Sequence, residues 1–564
     1  MKRFCDLTYE RPDMEVFFKH VDTFLEQFPK AGDYAKAKEL YLKLCGERDH
    51  LDTMNTVAEI RNTINTADAF YEKEMEFFSE ALPKAELKMK AANEQILASP
   101  FVSDFEAEFG TLLIQNIRCA IRLADERNID NRIKESRLTQ QYAKASAVCT
   151  TVFHGETVNF YGLLKYMQST DRSLRAEAFR AWADLYESVS DELDSIYSEL
   201  IKVRCDMAKT LGFKDYIEMA YISRERYDYD RTDVERFRQQ IVETIVPVCS
   251  ELFRQQQERL GIDRLHYYDE AIIFPEGNAV PHGTSSEMVA SALQMYRKLS
   301  KETGEFFEFM VQHGLFDLET KPAKRQGGYC TFLADFKAPF IFSNFNGTSA
   351  DVDVLTHEAG HAFEAYTASR IYPLTSQVWS TTEIDEIHSM SMEFFTHPWM
   401  EKFFGENADK YRYAHAVSAL TVIPYMACVD EFQHRVFEEM AVDAKVRRKI
   451  WRELEKKYMP WRDYDGNAFL EGGGFWMQKQ HIFLFPFYYI DYALAQMGAF
   501  EFYGKMKADR KSAWEDYYRL CCAGGSKGYF ELLKVAGLSN PFEPGTVKKV
   551  MDSIGDELTR GPKL

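Results

Sequence analysis

Apolar residues recur at mixed three- and four-residue steps, separated by charges, along most of this chain. That spacing follows the helical period and predicts helices with one face buried. It is clear over Tyr34–Arg61, Phe70–Glu94, Thr139–Cys149 and Leu174–Leu211, and again over Ser285–Gly304. No self-similarity at a solenoid period interrupts it. Two stretches break the pattern. Residues 262–283 carry prolines, glycines and a short apolar run, which predicts a loop with one strand. In Lys321–Thr348, the segments Tyr329–Phe336 and Pro339–Phe345 are rich in aromatic and β-branched residues and bounded by Gly, Pro and Asn. They predict two strands of a small sheet. Beyond residue 380 the pattern is helical again, broken by Gly472–Gly474. The expected fold class is therefore mainly α, with a small β-sheet.

Composition adds bounds. At 564 residues the chain exceeds what one hydrophobic core usually organises, so two or more lobes are expected. The division expected is an N-terminal helical lobe over 1–180 and a second region over 181–564. A net charge of −19 excludes a nucleic-acid surface, which needs a basic stripe. The ten cysteines are scattered without CxxC spacing, which predicts free thiols in a reducing, cytoplasmic setting. Asp6, Glu10, Arg11 and Asp13 interrupt the N-terminal segment, so no signal peptide is expected there. No uninterrupted apolar run is long enough to span a membrane.

Candidate chemistry follows the predicted strands directly. DVDVLTHEAGHAFEAY, residues 351–366, contains His357-Glu358-Ala359-Gly360-His361. On a helix, histidines at i and i+4 lie one turn apart on one face, so both imidazoles reach one metal ion. Glu358, one residue offset, is placed to act on a water as base rather than ligand. Thr348 or Ser349 is expected to cap this helix, and Asp351 and Asp353 suit its positive end. Gly360 is a poor helix former, which suggests close approach of another element. A third, carboxylate ligand is expected downstream, in STTEIDEIHSMSMEFF, residues 380–395. Ser380 and Glu383 form a capping-box pattern that would start a helix. Glu383, Asp385, Glu386 and Glu393 are all candidates, with His388 a further option. Glu386 and Glu393, seven residues apart, share a face, so either could ligate while the other steadies a histidine.

These residues carry a family resemblance. HEAGHAFEAY (357–366), EIHSMSMEFF (386–395), HIFLFPFYYIDYALA (481–495) and AGGSKGYFELLKVAG (523–537) resemble the thimet oligopeptidase and oligoendopeptidase F family of zinc metallopeptidases. Within it the chain is most similar to bacterial Pz-peptidase-like enzymes, which act on collagen-derived peptides. The resemblance implies a two-lobed helical body with a deep substrate channel, and makes 181–564 the catalytic region. It implies one zinc ion per chain, held by His357, His361 and Glu386, with Glu393 behind the ligands. Glu358 is then the general base toward a zinc-activated water. His481, Tyr489 and Tyr492 are implied as catalytic groups facing the substrate carbonyl, with Tyr488 beside the substrate. Phe485 stands where some relatives have a further tyrosine.

The function expected is endopeptidase cleavage of short, unstructured oligopeptides. The strand Pro339–Phe345, with Phe340 and Phe342, is expected to be an edge that pairs with the peptide. Gly327 and Gly328 are expected as mobile lining. A zinc carboxypeptidase and an inactive peptide-binding protein are the competing readings. The intact Glu358 speaks against the second.

Overall fold

The computed structural model describes residues 1–559 apart from 322 and 326. Helices dominate it, and four of the long ones begin where an aspartate can accept from exposed amides. Asp33, Asp68, Asp171 and Asp230 cap the helices Tyr34–Ile64, Ala69–Ala98, Arg172–Thr210 and Arg231–Leu260. Such caps satisfy N–H groups that the helix itself leaves unbonded. The helix expected over 285–304 is two helices, Ser285–Leu299 and Lys301–His313. Ser300 adopts extended backbone and forms a capping box with Thr303, which restarts the chain in a new direction. Residues 262–283 are irregular, with a helical turn at Tyr267–Glu270 in place of a strand.

The chain separates into two compact units, each assembled from three stretches of sequence. One comprises Met1–Glu126, Val280–Ala408 and Gly498–Asn540. Its N-terminal helices close on a core that includes Phe17, Phe24, Leu44, Met54, Phe78 and Phe105. It also holds a three-stranded sheet. The hairpin expected from the sequence is present as Tyr329–Leu333 and Ala338–Phe345, antiparallel, with Tyr329 opposite Phe342 and Leu333 opposite Ala338. A third strand, Phe316–Glu319, pairs parallel with Ala338–Phe345. Four residues are too few to show an alternating pattern, so it is not apparent in the sequence.

That third strand corrects an expectation. Ala338–Phe345 is the central strand, with neighbours on both sides, and is not an edge. Phe340 and Phe342 are fully buried. Phe340 packs on Phe4, and Phe342 stacks on Tyr329 with ring centroids 4.7 Å apart. Their side chains hold the sheet together and are not open to a peptide. The strand of this hairpin that lies at an edge is Tyr329–Leu333.

The other unit comprises Arg127–Ala279, Asp409–Met497 and Pro541–Leu564. It is built on the long helices Arg172–Thr210 and Arg231–Leu260. Between helices lie buried ion pairs, among them Asp269 with Arg175 and Asp194 with Arg447.

Candidate metal centre

The central strand runs into the helix Ala350–Ile371 through a turn at Asn346–Gly347. Neither expected hydroxyl caps this helix. Ser349 occupies the cap position without a side-chain bond. Instead the Asp351 carboxylate reaches back and accepts from the amides of Asn346 and Gly347, at 2.9 and 2.8 Å. A carboxylate accepts both amides at once, which one serine hydroxyl cannot match as well.

His357 and His361 project from successive turns of this helix, with ring centroids 5.1 Å apart. Against them packs the helix Thr382–Thr396. Gly360 permits the approach. A Cβ built there would lie 2.6 Å from both the carbonyl oxygen of His388 and the Cα of Ser389. Only a hydrogen fits between these two backbones, which explains a glycine in mid-helix. The same approach brings Glu386 Oε2 to 3.3 Å from His357 Nε2 and 3.4 Å from His361 Nε2.

The two separations from Glu386 satisfy a geometric test for a metal. Bonds of about 2.0–2.1 Å at tetrahedral angles separate neighbouring ligand atoms by about 3.3–3.4 Å. All three donor atoms lie within 4.8 Å of one another, and no other such group of histidine, cysteine, aspartate or glutamate occurs among the described residues. Two imidazoles and a carboxylate are the donor set of a zinc site that keeps a coordination position open.

The surrounding groups hold the donors in place. Glu393 Oε1 accepts from His357 Nδ1 at 2.7 Å, which turns Nε2 toward Glu386 and His361. Ser389 donates to Glu386 Oε2 at 3.0 Å. Burial by itself would depress the His357 pKa, but Glu386 and Glu393 hold it well above its ordinary value. Burial would likewise raise Glu386, and the two histidines hold it well below. Two carboxylates facing the imidazoles favour positive charge at their centre.

Glu358 is buried beside these ligands and is not one of the three. Burial raises its carboxyl pKa, opposed by His357 and His361. Gly328 lies over it, and a Cβ there would sit 3.5 Å from Glu358 Oε1 and 3.1 Å from Val354. Gly327 and Gly328 are exposed, and Gly327 has a φ of 96° that suits glycine.

The remaining candidates of the second helix point elsewhere. Its start at Thr382 uses no capping box, because Ser380 is engaged otherwise. The Ser380 amide donates to Asp385 Oδ1 at 2.9 Å, and its hydroxyl donates to Glu364 Oε1 at 2.8 Å. Ser380 thus joins the Glu364 and Asp385 carboxyls. Burial raises both, Glu364 to about 7 and Asp385 well above its ordinary value. His388 is fully buried, 3.4 Å from Glu364 and 3.3 Å from the Cys521 thiol. Burial lowers its pKa to about 3, which keeps it neutral. Glu383 is also buried and outside the donor cluster. The Glu364–Asp385 pair was missed in the sequence, although Glu364 stands only three residues after His361.

The predicted aromatic residues gather in the other unit. His481 has ring centroids 5.8, 4.9 and 6.1 Å from Tyr488, Tyr489 and Tyr492. Tyr492 lies 4.9 Å from Tyr488 and 5.4 Å from Tyr489. Tyr489 opens the helix Tyr489–Ala523, so the tyrosines cluster around its first turn. Phe485 is exposed.

Residues 4–124 match the peptidase M3 N-terminal domain. Residues 165–276 and 289–551 match peptidase family M3. Among solved structures, Pz peptidase A determined with an inhibitor superposes with a TM-score of 0.96, at 42% identity over 99% of both chains. A Bacillus anthracis protein named for oligoendopeptidase F gives 0.91, at 40% identity over 100% of this chain and 99% of that one. An oligoendopeptidase F homologue of Borreliella burgdorferi is 22% identical over 388 residues. That match spans 66% of this chain and 63% of the relative. The family match covers well over half of the sequence, and the chain belongs to peptidase family M3.

Proposed function

We propose that this chain is a zinc-dependent endopeptidase that cleaves internal bonds of short, unstructured oligopeptides, collagen-derived peptides among them. The carrying observation is that Glu386 Oε2 lies 3.3 Å from His357 Nε2 and 3.4 Å from His361 Nε2, the separation of neighbouring tetrahedral ligands, with a buried Glu358 beside them. His357, His361 and Glu386 would hold one zinc ion, which when bound supplies a Lewis acid and lowers the pKa of water toward about 7. Glu358 takes the proton of the attacking water and delivers it to the leaving amine. Its raised pKa makes it a stronger base than an exposed glutamate. Glu393 keeps the His357 proton on Nδ1, so Nε2 stays available as a donor.

Tyr489, Tyr492 and His481 are read as donors to the oxyanion formed at the scissile carbonyl, with Tyr488 beside them. One such donor is typically worth about 3–4 kcal/mol of barrier. The peptide is read as pairing with the edge strand Tyr329–Leu333, entered past Gly327 and Gly328. Main-chain pairing of this kind tolerates many sequences. Residues 181–564 are read as the catalytic region, with a channel that admits peptides of about 5–20 residues. Each residue ordered there costs roughly 1–2 kcal/mol of backbone entropy, so residues outside the channel add nothing. No helix among the described residues is long and apolar enough to cross a membrane. All ten cysteines are free, which fits a reducing cytoplasm.

The test is a fluorogenic peptide series of graded length around one fixed scissile bond, with and without chelator. Internal cleavage that a chelator abolishes, with kcat/KM reaching a plateau over that length range, is expected. Release of single terminal residues, chelator resistance or rapid digestion of a native globular protein would overturn the reading.

A further inference from the structure

Two short turns in the tyrosine-bearing unit are held against each other by charge. Glu225 and Phe487 are non-glycine residues with φ of 58° and 63°, in the left-handed region that L side chains disfavour. Arg224 and Arg226 flank the first. Phe487 immediately precedes the tyrosines. One carboxylate joins the turns. Asp491, fully buried in the first turn of the helix Tyr489–Ala523, accepts from Arg224 Nη2 at 2.8 Å and from Arg226 Nη2. Arg226 also donates to the carbonyl of Phe487 at 2.6 Å. The Phe487 amide donates to Gln433 Oε1 at 2.9 Å, so both sides of the disfavoured residue are fixed. The Arg224 guanidinium lies over the Tyr488 ring, 4.4 Å from its centroid. Asp491 in turn donates its amide to the Tyr488 carbonyl at 3.0 Å.

We infer that Arg224 and Arg226, acting through Asp491, are positioning residues that set the placement of Tyr488, Tyr489 and Tyr492. The clamp reaches three features that bear on those rings. It grips the turn before them, the helix start that carries them and the face of Tyr488 itself. A buried carboxylate shared by two guanidiniums has directional bonds on both oxygens, and its partners cannot slide without leaving charge unpaired. A disfavoured backbone at Phe487 persists only because its surroundings hold it there. Released, the turn relaxes and the tyrosines rotate with it. The consequence for turnover rests on the proposed role of these tyrosines as oxyanion donors.

The experiment separates the two. 3-Fluorotyrosine is placed site-specifically at 488 or 492 in the full chain, and ¹⁹F spectra are compared with Asp491→Asn and Arg224→Met. Both variants are expected to shift the resonances at 488 and 492 and leave a fluorotyrosine at position 9 unmoved. Steady-state kinetics on one peptide should show kcat falling on the order of 10-fold, with KM changed less than about twofold. Arg224→Lys, which keeps the cation, should restore part of that loss. Unshifted resonances in both variants would overturn the clamp, whatever the kinetics. Shifted resonances with full kcat would uphold the clamp and overturn the role of the tyrosines. Should Asp491→Asn fail to fold, Arg224→Met carries the test, since the Arg224 side chain is partly exposed.

Discussion

The metal cluster and the tyrosine cluster reach the same degree of order by opposite means. In the first, two ligands come from one helix at a spacing of four, and the third arrives because Gly360 lets a second backbone touch. Steric contact between helices sets the geometry, and hydrogen bonds from Glu393 and Ser389 refine it. In the second, the rings come from one short stretch but their placement depends on arginines some 260 residues away in sequence. Charge, rather than close packing, holds that region. The first arrangement is robust to distant changes and fragile at one glycine. The second is the reverse.

Breaking the metal cluster outright should have the largest effect. His361→Ala leaves His357 and Glu386 to hold the ion, and bound zinc measured by elemental analysis is expected to fall to background together with peptide cleavage. An active, metal-free wild type would remove the basis of the comparison. Next in size is Glu358→Gln, which spares all three ligands. Zinc content should be retained while kcat drops on the order of 10²-fold or more. A variant that instead lost its metal would show Glu358 to be a ligand and Glu386 to be free for the proton.

Smaller effects sharpen the contrast. Glu393→Gln weakens the hold on His357 Nδ1 without touching the ion, and should cost about 10–100-fold in zinc affinity or activity. A chelator competition assay reads this directly, and unchanged affinity would make Glu393 a bystander. Gly360→Ala probes the helix contact. The added methyl gains about 1 kcal/mol of helix propensity but meets backbone atoms that cannot rotate away, and such overpacking costs about 1–3 kcal/mol. A Tm lowered by a few degrees with weakened zinc retention is expected. A raised Tm would mean the two helices have room to part.

The histidine pair, the glutamate beside it and the predicted strand hairpin were legible because each rests on short-range periodicity. Glu386 was one of several carboxylates until the resemblance singled it out, because spacing within a helix cannot say which side chain a neighbouring helix will meet. The hydroxyl cap at Thr348 or Ser349 and the capping box at Ser380 failed for a related reason. Local patterns nominate donors and acceptors, and buried competitors such as Asp351, Asp385 and Glu364 claimed them. Phe340 and Phe342 were misassigned because a central strand and an edge strand can share the same composition, and only the short strand Phe316–Glu319 tells them apart.

Helix-rich class and the two-histidine motif with its glutamate follow from the sequence alone, since each depends on residue type and near spacing. Tertiary structure decided which carboxylate completes the metal donors, which strand lies at the sheet edge, and what restrains the tyrosines. Those outcomes depend on contacts between residues distant in the chain, and a hydrophobic pattern specifies that a face is buried without specifying what buries it.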